Sequence, residues 1–226
     1  MTIQKPLIHF LTNYVTVNDC ANICLFSGAS PVMADEVSEV EEITKLAKAL
    51  VVNIGTINKN TAKSMMIAAK TANKIGIPVI LDPCGVGVSK FRNDFIEEFL
   101  KNIKVAIIRA NASEVAAMLG EASNSNGVDS NLQASKEYKI NLVKKCALKY
   151  KCVCYMSGEY DIISNGTDGF SQKGAGKFLT NITGTGCMLT AVVGSFCANS
   201  NDYFNTAIYA CKWYKKNIKK FLKKYK

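Results

Sequence analysis

The chain has 226 residues, 48% of them hydrophobic and 20% charged, with a formal net charge of +10. That length and apolar content suit one well-buried α/β domain, expected to span residues 1–226, and no stretch approaches the run of about 20 apolar residues that a membrane-crossing helix needs. Nine cysteines, an odd number partly set in apolar runs with no secretory leader before them, read as reduced thiols of a cytoplasmic protein, and neither Cys20-x-x-x-Cys24 nor Cys152-x-Cys154 has the second ligand pair that zinc requires.

Short apolar runs alternate with longer amphipathic ones along the chain. Leu7–Leu11 reads as a strand that carries the only histidine, His9; a lone histidine inside an apolar strand is expected to be a hydrogen-bonded structural residue. Thr12-Asn13 follows it. A helix over 16–27 then ends at Gly28, and Gly28-Ala29-Ser30-Pro31-Val32-Met33 offers small residues and one flexible thioether, suited either to a helix-to-strand turn or to a pocket wall for a flat ligand. Next come a helix over 39–48, a strand Leu50–Ile54 running into Gly55-Thr56, a helix over 60–75 and a strand Pro78–Leu81 leading to Asp82-Pro83-Cys84-Gly85. A helix over 93–102, a strand Val105–Ile108 leading to Arg109-Ala110-Asn111 and a helix over 112–119 follow. Glu121–Asn131, rich in Asn, Ser and Gly, reads as an irregular loop. A helix over 134–150 leads to a strand Cys152–Met156 and Ser157-Gly158-Glu159. Gly166–Gly176 reads as a flexible flap, and helices are expected over 186–198 and 203–224.

This alternation implies a three-layer α/β fold, a mostly parallel central sheet with helices on both faces. Ligands then bind beyond the carboxyl ends of the strands, where the polar residues named above converge. In the last helix Trp213, Tyr214, Ile218, Phe221, Leu222 and Tyr225 recur at helical spacing, and residues 212–226 hold eight lysines and no acid, which leaves +2 for the remainder. The expected role of that helix is to dock on the domain with a solvated lysine face. No aromatic-basic patch recurs elsewhere, so neither nucleic acid nor membrane is expected as a partner.

Gly184-Thr185-Gly186-Cys187 precedes the apolar run Met188–Val193. Unobstructed amides at the positive end of a helix form an anion site, with phosphate the expected anion. Cys187 is expected at the first helical position, where that field lowers a thiol pKa and lets the thiolate take a proton from an alcohol. There is no Walker A or dinucleotide fingerprint to compete with this cradle. Asp82 ends a buried strand on the ligand side, where it can hold magnesium, directly or through water, or bond the backbone amides of the Asp-Pro turn. Glu114 lies three residues after Asn111, a capping-box spacing compatible with a metal role if its second oxygen faces the cleft. Arg109 ends an apolar strand, a position that calls for a phosphate or carboxylate partner.

Taken together these motifs resemble hydroxyethylthiazole kinases of the ribokinase-like superfamily. The resemblance rests on Thr12-Asn13, Gly28–Met33, Asn53-Ile54-Gly55-Thr56, Leu81-Asp82-Pro83, Ile108-Arg109 with Asn111-Ala112-Ser113-Glu114, Ser157-Gly158-Glu159 and Gly184–Cys187, in order over about residues 7–198. It implies transfer of a phosphoryl group from ATP to the primary alcohol of 4-methyl-5-(2-hydroxyethyl)thiazole in thiamin salvage, with Mg2+. By the same resemblance Cys187 stands at the catalytic-base position, Gly184 and Met33 contact the thiazole, Arg109 and Ser157 contact ATP, and Asp82 and Glu114 surround magnesium. Ser157 replaces the threonine more common in the family. The family's trimers, with active sites between subunits, imply a homotrimer here.

Overall fold

The computed structural model describes residues 5–121 and 135–225. Eight strands, β1 (Leu7–Leu11), β2 (Ser30–Met33), β3 (Ala49–Asn53), β4 (Val79–Asp82), β5 (Ile107–Ala110), β6 (Val153–Met156), β7 (Tyr160–Ser164) and β8 (Gly169–Lys173), form one sheet in the order β2-β1-β3-β4-β5-β6-β7-β8. Pairings from β2 to β6 are parallel, whereas β7 and β8 run antiparallel to their neighbours. Eight α-helices are described: α1 (Val17–Phe26), α2 (Val40–Leu46), α3 (Lys59–Ile75), α4 (Lys90–Asn102), α5 (Ala112–Leu119), α6 (Lys136–Tyr150), α7 (Thr185–Cys197) and α8 (Tyr203–Tyr225).

The parallel strands are apolar on both faces because both faces are covered. In β3, Leu50 and Val52 face a core built with α2 to α6, while Ala49 and Val51 face one built with α1, α7 and α8. Three layers result. Helix α7 is the most deeply set, with every residue from Met188 to Ser195 buried. A Cβ on Gly194 would collide with Val51, so glycine there lets α7 lie directly on β3. Any larger residue would lift the helix and its glycine-rich start off the sheet. Helix α8 docks as its spacing predicts: Phe221 is fully buried and Phe26 packs on Trp213 and Phe221 with ring centroids 5.8 and 5.6 Å apart. Burying a side chain the size of Phe221 contributes about 1.5–3 kcal/mol. Its lysines face outward, Lys212 over the Phe170 ring and Lys219 over the Phe178 ring. No helix among the described residues is long and apolar enough to cross a membrane.

Three expectations change. The segment Gly166–Gly176 is not a free flap: Gly169–Lys173 is β8, paired along its length with β7. Ser30–Met33 is an edge strand, a place where Pro31 needs no ladder donor. The strands expected over Pro78–Leu81 and Val105–Ile108 run instead over Val79–Asp82 and Ile107–Ala110, so Asp82 and Arg109 lie inside their carboxyl ends. The loop expected over Glu121–Asn131 lies, past Glu121 itself, outside the described residues. His9 is structural as expected, bonded through its ring nitrogens to Thr44 Oγ1 (2.9 Å) and the Ala34 carbonyl (2.7 Å), with burial holding its pKa below the usual value.

Candidate active site

Parallel register sets the site. Asn53 stands opposite Asp82 across β3 and β4, so two polar side chains reach the carboxyl edge side by side, with Arg109 at the end of β5 near them. Asp82 is fully buried; its Oδ2 accepts from Thr190 Oγ1 (2.7 Å) and Arg109 Nη1 (3.3 Å). Its Oδ1 has no partner among the described residues. Asp82 therefore does not spend its oxygens on the Asp-Pro turn, one of the two roles the sequence left open. Arg109 Nη2 donates to Ser157 Oγ at 2.6 Å. Burial lowers the pKa of this guanidinium, but Asp82 and Glu114 outweigh burial and hold it above the ordinary value.

Glu114 completes the capping box of α5: Asn111 Oδ1 accepts from the Glu114 amide (2.9 Å) and Glu114 Oε2 accepts from the Asn111 amide (2.8 Å). Its second oxygen, Oε1, accepts from the Gly85 amide at 3.0 Å. Both oxygens thus tie β5 to the loop after β4. Burial and then the nearby Asp82 charge push its pKa up.

Cys187 is the third residue of α7, not the first: Gly184 caps the helix and Thr185 opens it. The thiol still lies in the first turn, inside the reach of the helix dipole. Its Sγ accepts from Asn13 Nδ2 (3.3 Å) and Asn53 Nδ2 (3.2 Å). A hydrogen bond from the Cys84 thiol, helped by Arg109 and Thr16 and opposed by burial and Asp82, lowers its pKa to about 7. The same pairing, together with burial, pushes the Cys84 thiol up.

Both glycines of the turn are required by contacts. Gly184 adopts φ +79°, and a Cβ there would run into Thr16; a Cβ on Gly186 would lie 2.5 Å from Arg109 Nη2. The helix start therefore rests on the N-cap of α1 and on the guanidinium. Beside it opens a cleft of about 240 Å³ lined by Ser157, Asp161, Thr180, Thr185, Gly186 and Tyr214 among others. Met33 ends β2, half-buried, and packs on the same apolar cluster as Cys187, but its side chain joins no hydrogen bond of the network. Asp82, Glu114, Arg109, Ser157, Gly184 and Cys187 are thus gathered at one rim, with Met33 two strands out on the edge.

Sequence reasoning passed over four residues here. Thr190, one turn past Gly186, holds Asp82. Tyr214 fastens α8 to the start of α7 through a 2.6 Å bond from its hydroxyl to the Thr185 carbonyl. Cys84 was a loop residue without a role. Arg92 donates to the carbonyls of Ile54, Cys84 and Gly55, pinning the loops after β3 and β4 together. Its signal was legible: an arginine in the first turn of α4 opposes the helix dipole and needs some other partner.

The magnesium site can be tested on these groups. Asp82 keeps an unpartnered, buried carboxylate oxygen, and a second carboxyl, Glu114, raised by burial and then by Asp82, lies near it; two carboxyls against the single Arg109 make a place that a dication would relieve. No group of three His, Cys, Asp or Glu side chains forms a cation cage among the described residues. That donor set fits a cation that keeps most of its waters and takes the rest of its ligands from phosphate.

The chain matches the model of the hydroxyethylthiazole kinase family over residues 1–225. It is 47% identical to the hydroxyethylthiazole kinase of Ruminiclostridium cellulolyticum over 206 residues, 91% of this chain and 76% of that protein. The enzyme of Clostridium beijerinckii is 45% identical over 208 residues, covering 91% and 75%. Among solved structures, a hydroxyethylthiazole kinase protein of Pyrococcus horikoshii superposes with a TM-score of 0.85 at 34% identity, over 96% of this chain and 80% of that one. A Bacillus subtilis pyridoxal kinase in complex with ADP superposes with a TM-score of 0.65 at 12% identity, over 93% and 90%, and shares the fold alone. Motif order, fold and whole-chain similarity agree, and the chain belongs to the hydroxyethylthiazole kinase family.

Proposed function

We propose that this chain, as a single domain, transfers the γ-phosphoryl group of ATP to the primary alcohol of 4-methyl-5-(2-hydroxyethyl)thiazole, a step of thiamin salvage. The observation that carries this reading is a lowered thiol, Cys187, in the first turn of a helix whose start is left bare by Gly184 and Gly186. Cys187 accepts the hydroxyl proton as the alcohol oxygen bonds to the γ-phosphorus and ADP leaves. The free amides at the start of α7 and the helix dipole bind the transferring group and offset its charge. Arg109, fixed by Asp82 and Ser157, stands at the cleft and faces the nucleotide phosphates, with Ser157 beside it. Gly184 and Met33 contact the thiazole. Mg2+ would be held by Asp82 and, through water, by Glu114, and would neutralise phosphate charge.

A homotrimer in the cytoplasm is part of the same proposal. Tyr14 and Val15, 77% and 58% exposed, follow directly on Asn13, so apolar surface borders the site as an intersubunit site requires. The test is ATP-dependent phosphorylation by the purified protein with magnesium, offered the hydroxyethylthiazole beside hydroxymethylpyrimidine and pyridoxal. Preference for the thiazole is expected, and preference for either other alcohol would move the substrate. Sedimentation should give three times the mass of the chain, with activity falling on dilution as trimers dissociate; full activity from a proven monomer would remove the assembly.

A further inference from the structure

Two buried asparagines face the Cys187 sulfur, and their orientation is dictated from behind. Asn13 Oδ1 accepts from the Thr16 amide (3.1 Å) and the Thr16 hydroxyl (3.0 Å), so its NH2 group must point the other way. That group donates to Asn53 Oδ1 (3.0 Å) and to Cys187 Sγ. Asn53 Oδ1 also accepts from the Gly55 amide (2.8 Å), which turns the Asn53 NH2 to the same sulfur. The two amides are 4% and 2% exposed and come from the ends of β1 and β3, flanking the start of α7. A sulfur that receives two N–H donors with fixed direction is in an acceptor's environment. A neutral thiol is a poor acceptor, whereas a thiolate takes such bonds readily.

We propose that Asn13 and Asn53 are positioning residues that form a paired-amide hole for the Cys187 thiolate, keeping the sulfur ionised and its free lone pair toward the acceptor alcohol. This deepens the reading of Cys187 as the base and rests on it. Other charged or titratable groups around the sulfur are Asp82 on β4, Cys84 after it, Arg109 on β5, Cys20 on α1 and Tyr214 on α8. Of these only Arg109 brings positive charge, and it is already engaged by Asp82 and Ser157. The asparagines supply the remaining direct N–H donation without adding charge, so the hole does not compete with phosphate for the guanidinium.

The test measures the rate of iodoacetamide alkylation at Cys187 against pH, read by peptide mass spectrometry without ATP or substrate. In the native protein the half-maximal rate is expected near pH 7. In Asn13→Ala and Asn53→Ala it should move up by a unit or more, which slows alkylation at pH 7 by about fivefold or more. Kinase turnover in these variants should be lost at pH 6 and largely regained at pH 9, a recovery that a merely structural defect would not show. Folded variants with an unmoved alkylation curve overturn the proposal. If neither variant folds, the native curve decides: a midpoint at 8.5 or above means the amides do not hold a thiolate. Because alkylation reads the sulfur directly, the outcome is separate from the base assignment, which fails instead if Cys187→Ala remains a full kinase.

Discussion

The parallel and antiparallel ends of the sheet divide the labour of the site. Strands β1 and β3 to β5 are almost wholly buried and carry, at or just past their carboxyl ends, Asn13, Asn53, Asp82 and Arg109, side chains fixed by bonds among themselves and to α7. Past β6 the sheet turns over, and β8 is half-exposed, so that end contributes Ser157, the β6–β7 turn and a cleft wall. The buried half holds groups whose charge matters; the open half shapes a binding surface that a large polar molecule can enter and leave. Chemistry and nucleotide binding should therefore respond differently to mutation.

Disturbing the rigid half should have the largest effect. Gly186→Val drives a side chain into Arg109 and obstructs the helix amides, and turnover should fall about 100-fold or more, in line with loss of a preorganised donor; steady-state kinetics of a variant with native circular dichroism would check this. Cys187→Ala should cost about 100-fold or more in kcat, the usual worth of a positioned base, while Cys187→Asp, which can accept from the same two amides, retains activity. The pH profiles sharpen the contrast. Native kcat should decline as pH falls through about 7, where Cys187 takes up its proton, and the Asp variant should keep its rate well below that point because its carboxyl ionises near pH 4. On the open half, Ser157→Ala removes one bond to a charged group, expected to raise the KM for ATP about tenfold with kcat little changed. An equal loss in both parameters would place Ser157 with the rigid group.

The smallest effect concerns the scaffold alone. His9 is neutral and buried, with its folded pKa below the unfolded value near 6.5. The unfolded chain then binds a proton that the folded one refuses, so stability present above pH 6.5 is lost as pH falls from there toward the lowered value. Thermal melts should drop by a few degrees between pH 7 and 5, a size that follows from about 1 kcal/mol in a domain of this length. His9→Gln should flatten that dependence without touching the kinetic profile.

Elements with sharp local punctuation were legible in the sequence. The helix expected over 112–119 is α5 to the residue, because Asn111 and Gly120 cap it, and Leu7–Leu11 is β1 because Pro6 and Thr12 bound an apolar run interrupted only by His9. Strands β7 and β8 escaped notice since β7 sets only Ile162 and Ile163 among polar neighbours and half-exposed β8 leaves little hydrophobic pattern. Asp82, Arg109, Glu114 and Cys187 were readable as out-of-place polar groups at strand ends or a helix start. The amide pair was not: Asn13 and Asn53 meet Cys187 across 174 and 134 residues, and only the register of β1 and β3 reveals that their amide groups converge.

Those separations bear on how the protein is made. Asp82 meets Thr190 across 108 residues, and the sheet face covered by α1, α7 and α8 receives two of its three helices from the last 42 residues of the chain. During synthesis that apolar face stands open until α7 and α8 have left the ribosome, so closure of the domain is governed by long-range contacts. The groups that lower the Cys187 pKa assemble only on that closure, which makes the enhanced reactivity of this one sulfur near neutral pH a direct reporter of the completed fold.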